Sequence, residues 1–132
     1  PVLLYFRNEF ILLTFLRLRK QDFEGMEKWL SKIADPETAL LRKQQGYYNY
    51  MYGVIYTRKN LTQAEKYFRK ALQLGLTMDY DKAMVKMSLA GIMIQKRKKR
   101  EAQELLTEAK KLDKQNMMTE QIKMLQQQLK KI

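Results

Sequence analysis

The chain has 132 residues, of which 45% are hydrophobic and 30% are charged, and it contains only five Gly and two Pro. Good helix formers dominate, which fits one folded helical domain and leaves little room for sheet turns. Cysteine and histidine are absent, which excludes a disulfide framework, thiolate chemistry and the commonest general base. The net charge of +12 favours acidic partners, nucleic acid or an anionic membrane surface, although charged helices are often merely well solvated.

The N-terminal segment is apolar but interrupted. Residues 2–16 contain a polar trio at 7–9, so they form neither a membrane span of about 20 residues nor a signal peptide. We expect a first buried helix over about residues 6–20. Two alternatives stay open: this helix is a homodimer interface, or the chain is a fragment with a membrane anchor outside this segment. The cysteine-free sequence favours a cytoplasmic location, at the cytoplasmic membrane face if the chain is a fragment.

Start and stop signals divide the rest of the chain into further helices. Asp22 is a candidate cap for the second helix, and Asp35-Pro36 predicts the start of the third. Asn60 is expected to cap the fourth, with Gln63 in a capping-box-like arrangement, and Gly75 ends it. No run alternates with a period of two between turn residues, so we predict no strand.

A repeat of 38 residues runs through these helices. Four trios of apolar residues keep this step, and within each repeat they lie at offsets of 3, 4 and 7, which is one face of a helix. The trios are Met26, Ala64 and Ala102; Trp29, Tyr67 and Leu105; Leu30, Phe68 and Leu106; and Ile33, Ala71 and Ala109. Such a repeat is typical of a helical solenoid and predicts antiparallel helix pairs. The predicted pairs span about 6–34, 37–74 and 79–112, and a terminal capping helix spans about 117–132.

The second repeat carries the residues of a known pattern. Gly53 and Tyr56 on its first helix are followed by Ala64, Tyr67-Phe68 and Ala71 on its second. This arrangement resembles the tetratricopeptide repeat (TPR). The resemblance implies a single domain over the whole chain, folded as an all-α, right-handed α-α superhelix. It also implies that Gly53 and Ala64 are small because the paired helices cross closely. The repeat departs from the family in its length, since the usual period is 34.

The resemblance also implies a binding groove. In this family the first helices of the pairs line a concave groove that receives a peptide or a helix. The corresponding positions here are Tyr47, Tyr50, Val54, Arg58, Met84, Met87, Ile94 and Gln95. The clamp that holds a terminal carboxylate in some members falls on Ile11 and Phe15, so we expect it to be absent.

Helical phase separates the tyrosines of this region. It predicts that Tyr48, Tyr52 and Tyr56 share a core face with Ile55, while Tyr47 and Tyr50 face the groove. The alternative is that the next helix or the N-terminal segment covers Tyr47 and Tyr50. On this assignment, the double substitution Tyr50→Ala with Met87→Ala should weaken partner binding without unfolding the protein.

The densest run of charge is a candidate basic patch, formed by Lys96, Arg97, Lys98, Lys99 and Arg100. It fits a nucleic-acid or anionic-lipid site or a nuclear localisation signal. Its place at a helix–helix turn, without an interleaved aromatic residue, favours simple solvation.

The sequence favours a protein-interaction scaffold. It has no Gly-rich phosphate loop, no strained serine elbow and no metal-ligand spacing, so we expect no enzyme activity, metal or cofactor. The expected partner is a protein or peptide, with an acidic one favoured by the charge. The alternatives are a basic helical repeat that binds nucleic acid, and a self-assembly or membrane-proximal module of a longer protein.

Overall fold

Helices are the regular secondary structure of this protein. The computed structural model describes residues 16–18, 20–33 and 42–132. Within these ranges there is no strand, which confirms the all-α class. The predicted first helix, apart from a helical turn at 16–18, and the predicted helix start at Asp35-Pro36 lie outside the described residues. Among the described residues, the helices of eight or more residues are α1 (Phe23–Leu30), α2 (Arg42–Tyr56), α3 (Leu61–Leu74), α4 (Asp79–Gln95), α5 (Lys99–Leu112) and α6 (Thr119–Lys130).

The chain divides into two compact units, Pro1–Leu76 and Thr77–Ile132. In the first unit, α2 packs against both α1 and α3. In the second unit, α4 and α5 pack against each other, and α6 packs against both. Neighbouring helices are thus packed in pairs, as the sequence predicts.

The predicted helix caps form. The Asp22 carboxylate accepts the N–H of Gly25 at 3.0 Å, and the Asn60 side chain accepts the N–H of Gln63 at 3.2 Å. Gly75 ends α3 with φ of +100°, a conformation that glycine adopts without strain. The reciprocal half of the capping box does not form, because the Asn60 N–H donates to a carbonyl of α2 instead.

Equivalent positions of the repeat are buried to equivalent degrees. Three of the four trios are at most 6% exposed in every copy. The remaining trio, Trp29, Tyr67 and Leu105, is partly exposed in every copy. The 38-residue step therefore marks structurally equivalent helices, and the predicted apolar face is confirmed.

Two repeat-equivalent glycines differ in their surroundings. A Cβ atom added to Gly53 would lie 2.6 Å from two ring carbons of Phe68, so α2 and α3 cross in close contact. Gly91 is the corresponding residue 38 positions later. A Cβ atom there would lie no nearer than 3.9 Å to a side chain, that of Leu125. The close crossing predicted for Gly53 is confirmed.

None of the helices among the described residues is both long and apolar enough to cross a membrane.

Candidate interaction surfaces

The predicted groove positions of the first unit are split between buried and exposed side chains. Tyr47 and Tyr50 are only 5% and 6% exposed, and the Tyr50 ring centre lies 6.5 Å from that of Phe68. Val54 is partly exposed, and Arg58 is exposed. Tyr47 and Tyr50 thus belong to the buried stripe of α2, and the expectation that they face an open groove is wrong.

The groove positions of the second unit are also divided. Met84 and Met87 are partly exposed and Gln95 is exposed, whereas Ile94 is buried. Truncating the buried Tyr50 ring would remove core packing and destabilise the first unit. The double substitution of Tyr50 and Met87 therefore does not separate binding from folding, contrary to the expectation from the sequence.

Four tyrosines form a stack at the surface of the first unit, which we call the tyrosine stack: Tyr48, Tyr52 and Tyr56 of α2 and Tyr67 of α3. The centre of the Tyr67 ring lies 5.2 Å from that of Tyr52 and 5.4 Å from that of Tyr56. The Tyr52 and Tyr56 centres are 6.2 Å apart, so the three ring centres form a triangle. Tyr48 meets Tyr52 edge-on at 5.0 Å. All four residues are partly exposed, so the core face predicted for Tyr48, Tyr52 and Tyr56 is only partly buried.

Three tyrosines of the stack lie in surroundings that disfavour ionisation of their hydroxyls. Partial burial raises the pKa of Tyr48, Tyr52 and Tyr67, because the charged phenolate loses solvation. A hydrogen bond between Tyr48 and Tyr52 raises the pKa of Tyr52 further and offsets part of the rise at Tyr48. The stack therefore offers neutral ring edges and hydroxyl groups rather than a charged nucleophile.

Contacts between α1 and the end of α2 border the tyrosine stack. Lys59 pairs with Glu27 at 2.7 Å, and this hydrogen bond raises the pKa of Lys59. The Arg58 guanidinium lies 4.2 Å from the centre of the Phe23 ring, a cation–π distance. The ring centres of the tyrosine stack lie 5.0–6.2 Å apart, which is the spacing of aromatic side chains packed against one another. We interpret the stack as packing between helices.

An apolar cleft lies in the second unit, where the start of α4 meets the end of α5. Its volume is about 440 Å³. The lining residues are Met78, Asp79, Tyr80, Leu112, Asp113, Lys114, Gln115 and Met117. Three of these are large apolar side chains exposed to solvent: Met78 by 57%, Tyr80 by 40% and Met117 by 60%. Such a cluster marks an interaction site more often than isolated apolar residues do.

The connection from α5 to α6 forms one wall of the cleft. Asp113 is buried, and its carboxylate accepts the backbone N–H of Met117 at 2.9 Å and of Met118 at 2.8 Å. Met118 is 1% exposed, so it anchors the connection in the core while its neighbour Met117 stays outside. Helical periodicity carries no information about residues in a connection, which is why the sequence did not predict this cleft.

The exposed charge around the cleft is mostly positive. Asp79 lies 3.1 Å from Lys114 and 3.9 Å from Lys82, so two cations already compensate it. Two more exposed lysines, Lys110 and Lys111, occupy the last turn of α5 next to the cleft residue Leu112. Of the other acids of this region, Asp81 and Asp113 are buried, whereas Glu120 in the first turn of α6 is exposed.

The basic run lies where the sequence placed it, between α4 and α5. The turn is shorter than expected, since α5 already begins at Lys99. Arg97 adopts φ of 61°, and the N–H of Lys98 closes the end of α4 by donating to the carbonyl of Met93 at 2.8 Å. Four of the five side chains are exposed, and only Lys96 is partly buried.

The described part of the chain contains no group of acidic side chains placed to hold a metal ion. Comparisons of the chain with protein-family models, with curated proteins and with solved structures give no match. The function must therefore be argued from the surfaces themselves.

Proposed function

We propose that this protein is a protein-binding module whose apolar cleft takes an acidic amphipathic segment of a partner. The observation that carries the proposal is the cluster of Met78, Tyr80 and Met117 around one cleft. Exposing these side chains to water is unfavourable by about 25 cal/mol for each Å² of apolar surface. A partner that covers them recovers this free energy.

The chemistry of the lining suits a protein segment. Methionine is flexible and polarisable, so Met78 and Met117 can adapt to several apolar side chains. Tyr80 offers a rigid ring with a polar tip, the kind of residue that anchors protein interfaces. A volume of about 440 Å³ is large enough for apolar side chains but is open on one side, as helix- and peptide-binding grooves are.

The charge at the rim favours an acidic partner. Lys110, Lys111 and Lys114 are exposed beside the cleft, and the chain as a whole carries a net charge of +12. Positive potential speeds the encounter with an acidic segment and disfavours a basic one. A carboxylate of the partner can contact these lysines at the rim while the partner's apolar side chains fill the cleft.

We infer further that the helix pairs are TPR-like units. The matching burial of the repeat positions and the close contact of Gly53 with Phe68 support this assignment. We propose with it the right-handed superhelix, the groove and the cytoplasmic location that the sequence predicts. The cleft replaces the predicted Tyr47 and Tyr50 groove as the proposed contact site, because those two rings are buried.

Methionine methyl NMR tests the proposal with synthetic peptides. The probe is an amphipathic peptide of about 14 residues, or four helical turns, with Leu on one face and Glu on the other. Matched peptides replace either Leu by Ser or Glu by Lys. Adding the Leu/Glu peptide should shift the methyl signals of Met78 and Met117 but not those of the fully buried Met51 and Met93. The Ser and Lys peptides should bind more weakly.

A matched pair of variants locates the contact. The double variant Met78→Ser, Met117→Ser should bind the Leu/Glu peptide at least about tenfold more weakly. A tenfold loss of affinity corresponds to about 1.4 kcal/mol of binding free energy. Met124→Ser is the control, because Met124 is also 60% exposed but does not line the cleft. Equal weakening by the control, or equal binding of the Leu and Ser peptides, would contradict the proposal.

A further inference from the structure

The basic run belongs to a larger cluster of cations at the end of the second unit remote from the cleft. The turn after α4 and the first turn of α5 supply five of them, at 96–100. The last turn of α6 and the residue after it supply Lys130 and Lys131, both exposed. We call these seven residues the basic end.

The packing of α6 explains why two separate basic segments share this end. The chain leaves α5 and returns through residues 113–118 into α6, which packs against both α4 and α5. The Leu125 side chain reaches Gly91, near the end of α4. The C-terminal turn of α6 therefore points to the same end as the C-terminus of α4, where the basic run begins.

Glu101 and Glu104, both on α5, are the acidic residues closest in sequence to the basic run. Arg97, Lys98 and Lys99 form no ion pair within the part of the chain that the structure describes. Arg100 lies 3.8 Å from Glu104, but its side chain is 95% exposed, and exposed pairs of this kind contribute little. The lysines at 130 and 131 likewise have no acidic partner among the described residues.

The basic end lacks the apolar side chains that protein and membrane sites use. Among the described residues, the large apolar side chains exposed to solvent are Leu16, Met78, Tyr80, Met117 and Met124, and none belongs to this end. A protein interface needs buried apolar or aromatic anchors, and membrane-surface helices insert apolar side chains. Contacts with phosphate groups need only Lys, Arg and backbone N–H groups.

We propose that the basic end binds the phosphate backbone of nucleic acid, independently of base sequence. Its seven cations suit several phosphates at once, and the first turn of α5 adds backbone N–H groups to the lysine and arginine side chains. The absence of an aromatic side chain within 96–100 fits backbone contact rather than base stacking.

Fluorescence anisotropy with a labelled DNA duplex of about 20 base pairs tests this proposal on the full chain. If about five phosphates are neutralised, the affinity should fall about 500-fold between about 50 and 200 mM salt. The triple variant Lys98→Gln, Lys99→Gln, Arg100→Gln should bind the duplex at least about tenfold more weakly at low salt. The slope of log affinity against log salt concentration should also become shallower by about 2.7. Adding Lys130→Gln and Lys131→Gln to the triple variant should make this slope shallower by about 1.8 more.

The matched control removes the same charge at the cleft. The triple variant Lys110→Gln, Lys111→Gln, Lys114→Gln should bind the duplex within about threefold of the unsubstituted protein. This variant should instead bind the acidic Leu/Glu peptide more weakly. Equal losses of duplex affinity in both triple variants would overturn the assignment to the basic end. No duplex binding at low salt would overturn the proposal, as would binding only to phosphatidylserine vesicles. None of these outcomes bears on peptide binding at the cleft.

Discussion

At the scale of single residues, the two repeat-equivalent glycines show how one side chain sets a helix crossing. Gly53 faces Phe68, whereas Gly91 occupies the same repeat position in the second unit. The residue corresponding to Phe68 is Leu106, whose side chain is smaller. The larger ring fills the space that a Cβ atom would need, so glycine is required at the first position but not at the second.

Gly53→Ala and Gly91→Ala should therefore change stability in opposite directions. The added methyl at Gly53 overlaps the Phe68 ring, which should cost about 1–3 kcal/mol. At Gly91 it meets no close neighbour, and alanine should stabilise the helix interior by about 0.5–1 kcal/mol. Urea unfolding followed by circular dichroism measures both values. Equal destabilisation by the two substitutions would show that the helix crossings do not differ.

At the scale of elements, α2 shows where sequence patterns stop being decisive. Tyrosine is amphipathic, so a helix with five of them has no single apolar stripe for periodicity to detect. The neighbouring helices decide which rings are buried: Tyr47 and Tyr50 enter the core, while the other three join Tyr67 at the surface. By contrast, α3 and α5 have clean apolar faces. Three of the four repeat positions on each helix are buried as predicted, and the fourth, Tyr67 or Leu105, is partly exposed.

The tyrosine stack should make stability depend on alkaline pH. The folded-state pKa of Tyr48, Tyr52 and Tyr67 is raised above the ordinary value of 10.0. The unfolded chain therefore loses these protons first, so the stabilisation is full below pH 10 and is lost as pH rises through the folded-state values. The urea midpoint should fall as the pH rises above about 10, and the absorbance of phenolate should rise late for these groups.

Tyr52→Phe provides the comparison for this pH dependence. It keeps the ring packing but removes one hydroxyl with a raised pKa, so the alkaline loss of stability should be smaller in the variant. Titration of the lysines is common to both proteins and cancels in the difference. An unchanged pH dependence would show that the stack does not carry the effect.

At the scale of the whole molecule, the dominant feature is the net charge of +12. Charges of one sign repel in the compact state, and exposed ion pairs such as Lys59 with Glu27 compensate only weakly. Salt shortens the range of this repulsion to about 10 Å at 0.1 M. Part of this charge lies at the two ends of the second unit, where the cleft lysines and the basic end lie.

Stability should therefore increase with salt. Raising NaCl from about 20 to 200 mM should stabilise the fold by on the order of 1 kcal/mol, which shifts the melting temperature by a few degrees. Each triple Lys/Arg→Gln variant should also melt higher than the unsubstituted protein at low salt. A melting temperature that falls with salt would mean that attractive ion pairs outweigh the repulsion.

The sequence by itself determined the all-α class, the helix caps at Asp22, Asn60 and Gly75, and the buried face of the repeat. These depend on neighbours three to seven residues apart and on local backbone geometry, which the order of residues specifies directly. Only the tertiary structure decided which tyrosines are buried and that Met78 and Met117 line one cleft. Each of these depends on the packing of residues distant in sequence, and no short-range pattern encodes it.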